Sequence, residues 1–126
     1  MPALFPQTFK GNPVALLDNA NGTTPVTLVT GATNGTKVKM LTAYNTDSTN
    51  PVNIKVTITN GGTTAVLNIA EVAAASNKDL LDPNDLPAVD DDGSIVIGPS
   101  STLEVVATAA PASGESVSVI ATIVEY

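Results

Sequence analysis

Asn50-Pro51-Val52-Asn53-Ile54-Lys55-Val56-Thr57-Ile58-Thr59 decides the fold of this 126-residue chain. Val52, Ile54, Val56 and Ile58 fall on every second residue, with Asn53, Lys55, Thr57 and Thr59 between them. Successive side chains of an extended chain point to opposite faces, so the spacing predicts a strand with one face in a core and one in water. On a helix the same apolar residues would scatter around the axis. Asn60-Gly61-Gly62 follows, residues that take positive φ at little steric cost, and predicts a tight turn into a return strand over 63–72.

The alternation spreads in both directions. Residues 25–30, Pro-Val-Thr-Leu-Val-Thr, are β-branched and run into the turn signal Gly31-Ala32-Thr33-Asn34-Gly35. Over 36–44, Lys37 and Lys39 alternate with Val38 and Met40, after which Leu41 and Ala43 fall on the lysine face. A bulge or a contact with another copy accounts for such a change of phase. Toward the C-terminus, 94–97 is a short apolar run between Gly93 and Gly98-Pro99, and 102–107 places Leu103, Val105 and Ala107 on one side. After a turn at Ala110-Pro111-Ala112-Ser113-Gly114, residues 116–126 alternate Val117, Val119, Ala121 and Ile123 against Ser118, Ile120, Thr122 and Val124. Both sets end apolar, which predicts a central strand or one covered on both faces. The one helical candidate is 70–81, with Ala73-Ala74-Ala75, short and broken by Asn and Asp.

All nine prolines fall at strand ends or in connections. The fold expected is all-β, an antiparallel β-sandwich or jelly roll with an extended N-terminal arm. The arm is placed at 1–22, the β-sandwich domain at 23–126, and a long loop near 76–93.

Composition removes most chemistry. The sequence has no His, Cys, Trp or Arg, which excludes a Ser-His-Asp triad, a thiolate nucleophile and a Cys-based zinc site, and points away from an enzyme. A net charge of −7 repels a phosphate backbone, and without Arg there is no bidentate reader of guanine. No nucleic-acid partner is expected. No apolar run approaches the roughly 18 residues of a spanning helix, so no membrane partner is expected. The opening ten residues lack a basic region followed by an apolar one, so no secretory signal is read there.

The candidate sites are few. Residues 79–93 carry half of the acidic residues, and Asp90-Asp91-Asp92-Gly93 offers oxygen ligands and a turn for Ca²⁺. An EF-hand loop needs alternate acids and a downstream Glu, which this stretch lacks, so a solvated acidic loop is the preferred reading and no cofactor is assigned. Asn21-Gly22-Thr23 and Asn34-Gly35-Thr36 match the glycosylation sequon but read as turns. Phe5 and Phe9, half of the four aromatics, lie in the first ten residues beside Leu4. Either they anchor a neighbouring surface, joined by Val14 and Leu16, or the segment forms a first strand and buries both rings in its own core.

The run Gly35-Thr36-Lys37-Val38-Lys39-Met40-Leu41-Thr42-Ala43-Tyr44-Asn45-Thr46-Asp47, followed by 52–59 and Gly61-Gly62-Thr63-Thr64, resembles small decoration (cement) proteins of tailed-bacteriophage heads. So does the ending, from 99–107 with Leu103-Glu104-Val105 through 110–114 to 117–126. The resemblance covers residue 35 to the end and is one of strand-and-turn pattern. It implies a β-sandwich or jelly-roll module on the outer capsid surface of a virion, made in the host cytoplasm. It implies self-association, with a homotrimer placed ahead of a homodimer, and the major capsid protein as partner, whose subunits it bridges to stabilise the head. It carries over no catalytic residue. The alternative is a carbohydrate-binding or adhesin module, for which Tyr44 and Tyr126 are the aromatics left beyond the arm.

Overall fold

The alternating stretch becomes an interior strand of a four-stranded antiparallel sheet. The computed structural model describes residues 8–82 and 94–125, and these form strands without any helix. In sequence order they are β1 (Thr8–Gly11), β2 (Val14–Asp18), β3 (Val26–Thr30), β4 (Thr36–Asn45), β5 (Val52–Asn60), β6 (Thr63–Val72), β7 (Asn77–Asp79), β8 (Ile95–Ile97), β9 (Thr102–Ala107) and β10 (Ser116–Glu125). One sheet runs β3-β9-β5-β6. The other has β10 and β4 at its centre, and each outer lane is shared by two short strands: β1 and β2 both pair β10, while β7 and β8 both pair β4.

The inner faces of both sheets meet in one apolar core. Val52, Ile54 and Val56 of β5 and Leu103, Val105 and Ala107 of β9 supply one side, and Val38, Leu41, Val117, Val119 and Ala121 the other. The β5–β6 turn is a two-residue hairpin, with Asn60 opposite Thr63 and Gly61 and Gly62 at φ of 60° and 83°. Two positive φ values define the turn whose twist matches that of the flanking strands, and glycine fits both positions without strain.

The change of phase in β4 is a bulge. Thr122 of β10 faces Met40 while Ile123 faces Val38, so Lys39 is an extra residue and the side chains beyond it swap faces. Leu41 and Ala43 thereby join Val38 in the core. β10 is central, as its apolar run predicts.

Other expectations need correcting. The helical candidate at 70–81 is the end of β6, a turn with Ala75 at a φ of 49°, and β7. The segment placed outside the body as an arm is, in its described part, β1 and β2 hydrogen-bonded to β10, and Ala15 and Leu17 sit in the shared core. Pro13 lies between these two strands, where its missing N–H costs no ladder bond. Pro13 thus falls where one sheet lane is divided into two short strands.

Candidate interaction surface

Parity along β10 fixes what the six-stranded sheet shows to solvent. Its odd residues, Val117, Val119, Ala121 and Ile123, point into the core, so its even residues point outward. Residues directly opposite in antiparallel strands share a face. Leu16, Ser118, Tyr44 and Asn77 therefore form one outward row across the sheet, and Val14, Ile120, Thr42 and Asp79 the next. Thr122 and Met40 follow on the near side of the bulge, and beyond it Phe9, Val124, Lys37 and Val96 make the last row.

This face collects the exposed apolar side chains. Of the nine large hydrophobics exposed among the described residues, seven lie on it: Phe9, Val14, Leu16, Met40, Tyr44, Val96 and Ile120. Strand spacing and rise give the patch an extent of about 15 by 20 Å. That plan area is of the order of the largest patch an ordinary monomer exposes, a size that often marks an interaction site. The two aromatics among the described residues, Phe9 and Tyr44, are 62% and 40% exposed. Aromatic rings bury more area than any other side chain and usually sit in cores. Here the core is aliphatic and the rings stand on the surface.

Of the interface residues expected from sequence, Phe9, Val14 and Leu16 come together on this face; Leu4 and Phe5 lie outside the described residues. Neither expectation for Phe9 holds alone: its segment is a strand, yet its ring is not buried. Sequence reasoning does not assign Met40, Val96 and Ile120 to the interface. The bulge hides Met40 by inverting the pattern beside it, whereas Ile120 could have been found as an isoleucine out of phase with Val117, Val119 and Ala121.

Polar groups frame the patch. Thr122 Oγ1 donates to Asn12 Oδ1 at 2.9 Å, and Lys10 Nζ lies 3.6 Å from Glu125 Oε2 in an exposed pair worth little. Beside Leu16 the face runs into an open groove of about 420 Å³ lined by Asp18, Asn19, Gly114 and Ser116 among others. Asp90, Asp91 and Asp92 lie outside the described residues, and among the described residues no three acidic side chains are gathered as metal ligands. The sequence matches no known protein family, and no curated protein is significantly similar to it.

Proposed function

We propose that this protein is a structural virion protein, a decoration or cement protein that grips the outer surface of a phage capsid through the outward face of its six-stranded sheet. The observation that carries the reading is the apolar patch itself, with Phe9, Val14, Leu16, Ile120 and Tyr44 exposed on one rigid sheet. A brace of this kind requires no reactive group. It binds the assembled lattice better than loose subunits, so mass action favours the closed shell, and many copies multiply a modest contact. Leu4 and Phe5, just before Phe9 in sequence, are assigned to the same grip as an extended arm. The major capsid protein is the partner, and self-association as a homotrimer is the expected arrangement.

A jelly roll is the finer reading of the sandwich. Counting β1 with β2 and β7 with β8 as single interrupted strands leaves eight strands in two sheets of four. Along these eight strands the polypeptide crosses between sheets at every step except the β5–β6 hairpin. That connectivity supports two interleaved Greek keys.

The test is co-sedimentation with purified heads that lack the protein, together with survival of those heads on heating. Leu16→Lys with Ile120→Lys should weaken retention by roughly 100-fold or more, since each centrally buried anchor at an interface is worth about 2 kcal/mol. Lys55→Glu with Thr64→Lys, on the outward face of the other sheet, should leave retention unchanged. Heads equally heat-tolerant with and without the wild-type protein would overturn the reading. Tyr44, half-exposed with Asn77 beside it across the strand pair, favours the carbohydrate-binding alternative. Glycan-array binding that Tyr44→Ala abolishes would establish that reading instead.

A further inference from the structure

We infer that Asn60, at the tip of the β5–β6 hairpin, is a site of spontaneous deamidation to aspartate and isoaspartate, and that the fold selects it over two chemically equivalent sites. The sequence holds three Asn-Gly pairs: Asn21-Gly22, Asn34-Gly35 and Asn60-Gly61. Glycine after asparagine leaves the following backbone nitrogen unhindered, so all three have the same intrinsic chemistry.

The nucleophile of the reaction is that nitrogen. It gives up its proton to solvent and attacks the asparagine Cγ. The bond from Cγ to the amide nitrogen Nδ2 then breaks and ammonia leaves, closing a five-membered succinimide. Water adds to one of the two ring carbonyls. Opening the ring on the backbone side gives isoaspartate, and opening it on the Cγ side gives aspartate. The balance is one water consumed and one ammonia released, without oxidation or reduction.

The three nitrogens differ in what they do in the fold. Gly22 N donates to Asp18 O at 3.1 Å, and Gly35 N donates to Ala32 O at 2.9 Å. Each must break a turn hydrogen bond before it loses its proton or rotates toward Cγ. Gly61 N occupies the first central position of the hairpin turn, which faces away from both strands, and among the described residues no backbone hydrogen bond is made by it. Asn60 and Gly61 are exposed, and a Cβ built on Gly61 would meet no atom within 4 Å. Asn21, by contrast, is half-buried, with its Oδ1 enclosed. Of the three pairs, the hairpin tip alone offers an unengaged nucleophile, an open electrophile and room for the ring.

The product changes the turn that formed it. Isoaspartate carries an additional methylene in the backbone, where Asn60 opposite Thr63 closes a two-residue loop. It also adds a negative charge to a protein that already carries −7. The neighbouring Thr59–Thr64 hydroxyl pair at 2.7 Å is the next contact to loosen, so the tip frays while the sandwich core is untouched. The converted fraction of a sample then rises with its age.

The experiment is prolonged incubation of the full-length folded protein at physiological temperature. Isoaspartate is read by methyl transfer from labelled S-adenosylmethionine with a protein-isoaspartate methyltransferase, and the sites by peptide mass spectrometry. Conversion at Asn60 should run roughly tenfold ahead of Asn21 and Asn34, the factor conferred by an ordinary hydrogen bond. Asn60→Ser should remove most of the methyl acceptor while leaving the thermal transition in place. In concentrated urea the three rates should converge. Equal rates in the folded protein, prior conversion at Asn21 or Asn34, no conversion at all, or an Asn60 preference that persists in urea would each overturn the inference.

Discussion

The outward faces of the two sheets are built from the same residue types and differ in what the side chains do. On the β3-β9-β5-β6 sheet the outward positions pair with one another. Thr57 Oγ1 and Thr102 Oγ1 both donate to the Glu104 carboxylate, at 3.2 and 3.0 Å, and Thr59 and Thr64 share a hydrogen bond at 2.7 Å. Its exposed large apolar side chains are Val66 and Ile69, both on the edge strand β6. The six-stranded sheet instead offers apolar side chains in consecutive rows. A face whose polar groups satisfy each other has little left to offer a partner. A rigid apolar face gains free energy when something covers it, because its rings and branched side chains have little conformational freedom to lose. On the proposed function, this asymmetry makes the six-stranded sheet the side that would meet a partner.

The sharpest way to break this comparison is at two neighbouring leucines. Leu17 is 0% exposed in the core and Leu16 is 54% exposed on the outward face. Leu17→Ala should lower unfolding stability by about 2–5 kcal/mol, the cost of lost burial plus an imperfectly collapsed cavity. Leu16→Ala should change it by less than about 0.5 kcal/mol. Chemical denaturation of the two variants checks both values. A large loss from Leu16→Ala would mean that the outward patch holds this molecule together and is not held in reserve for another.

A smaller effect is expected on the polar face. Glu104 accepts from hydroxyls on its own strand and on β5, so Glu104→Ala removes the acceptor of Thr102 and of the buried Thr57 and should cost about 1 kcal/mol. Retention on capsid should be unaffected, because this face is turned away from the proposed contact. Retention measured beside stability separates the two roles.

Much of this arrangement is legible in the residues. Period-two alternation at 52–58 and the glycine pair at 61–62 locate β5, β6 and their turn, and the phase change after Lys39 signals the bulge. What stays hidden depends on partners remote in sequence. Phe9 pairs with Val124 and Val14 with Ile120, so no local pattern marks 8–18 as part of a sheet. Prolines in that segment read as an arm because proline is excluded only from hydrogen-bonded positions, and which positions those are depends on the distant strand. The three-residue β7 is invisible for the same reason: it is a strand because β4 lies beside it. Which outward face would be apolar is half visible, in Val14 and Leu16, and becomes complete only when β10 and β4 supply Ile120, Met40 and Tyr44.

The smallest predicted effect concerns one of the loops that pass from one sheet to the other. Between β4 and β5, the Asp47 carboxylate accepts the backbone N–H groups of Thr49 and Asn50, at 2.8 and 3.0 Å. Those two bonds, Thr49 first, hold its pKa below the ordinary aspartate value against the opposing pull of burial, and the Asn50 side-chain amide adds to them. The sign follows from linkage. A carboxyl whose pKa is lower in the folded state than in the unfolded one binds fewer protons when folded. Its contribution is complete above the unfolded value and is lost as the pH falls through the folded one. Beside it the buried Asn45 amide donates to Asn50 O and Val72 O and its Oδ1 accepts from Asp47 N, so the loop does not depend on the carboxylate alone. Asp47→Asn should therefore be slightly less stable than wild type at neutral pH, with the gap closing in acid. Thermal melts at a series of pH values check this. A gap of constant size would show that Asp47 acts through its shape, and the two sheets would then be joined by a crossover without electrostatic content.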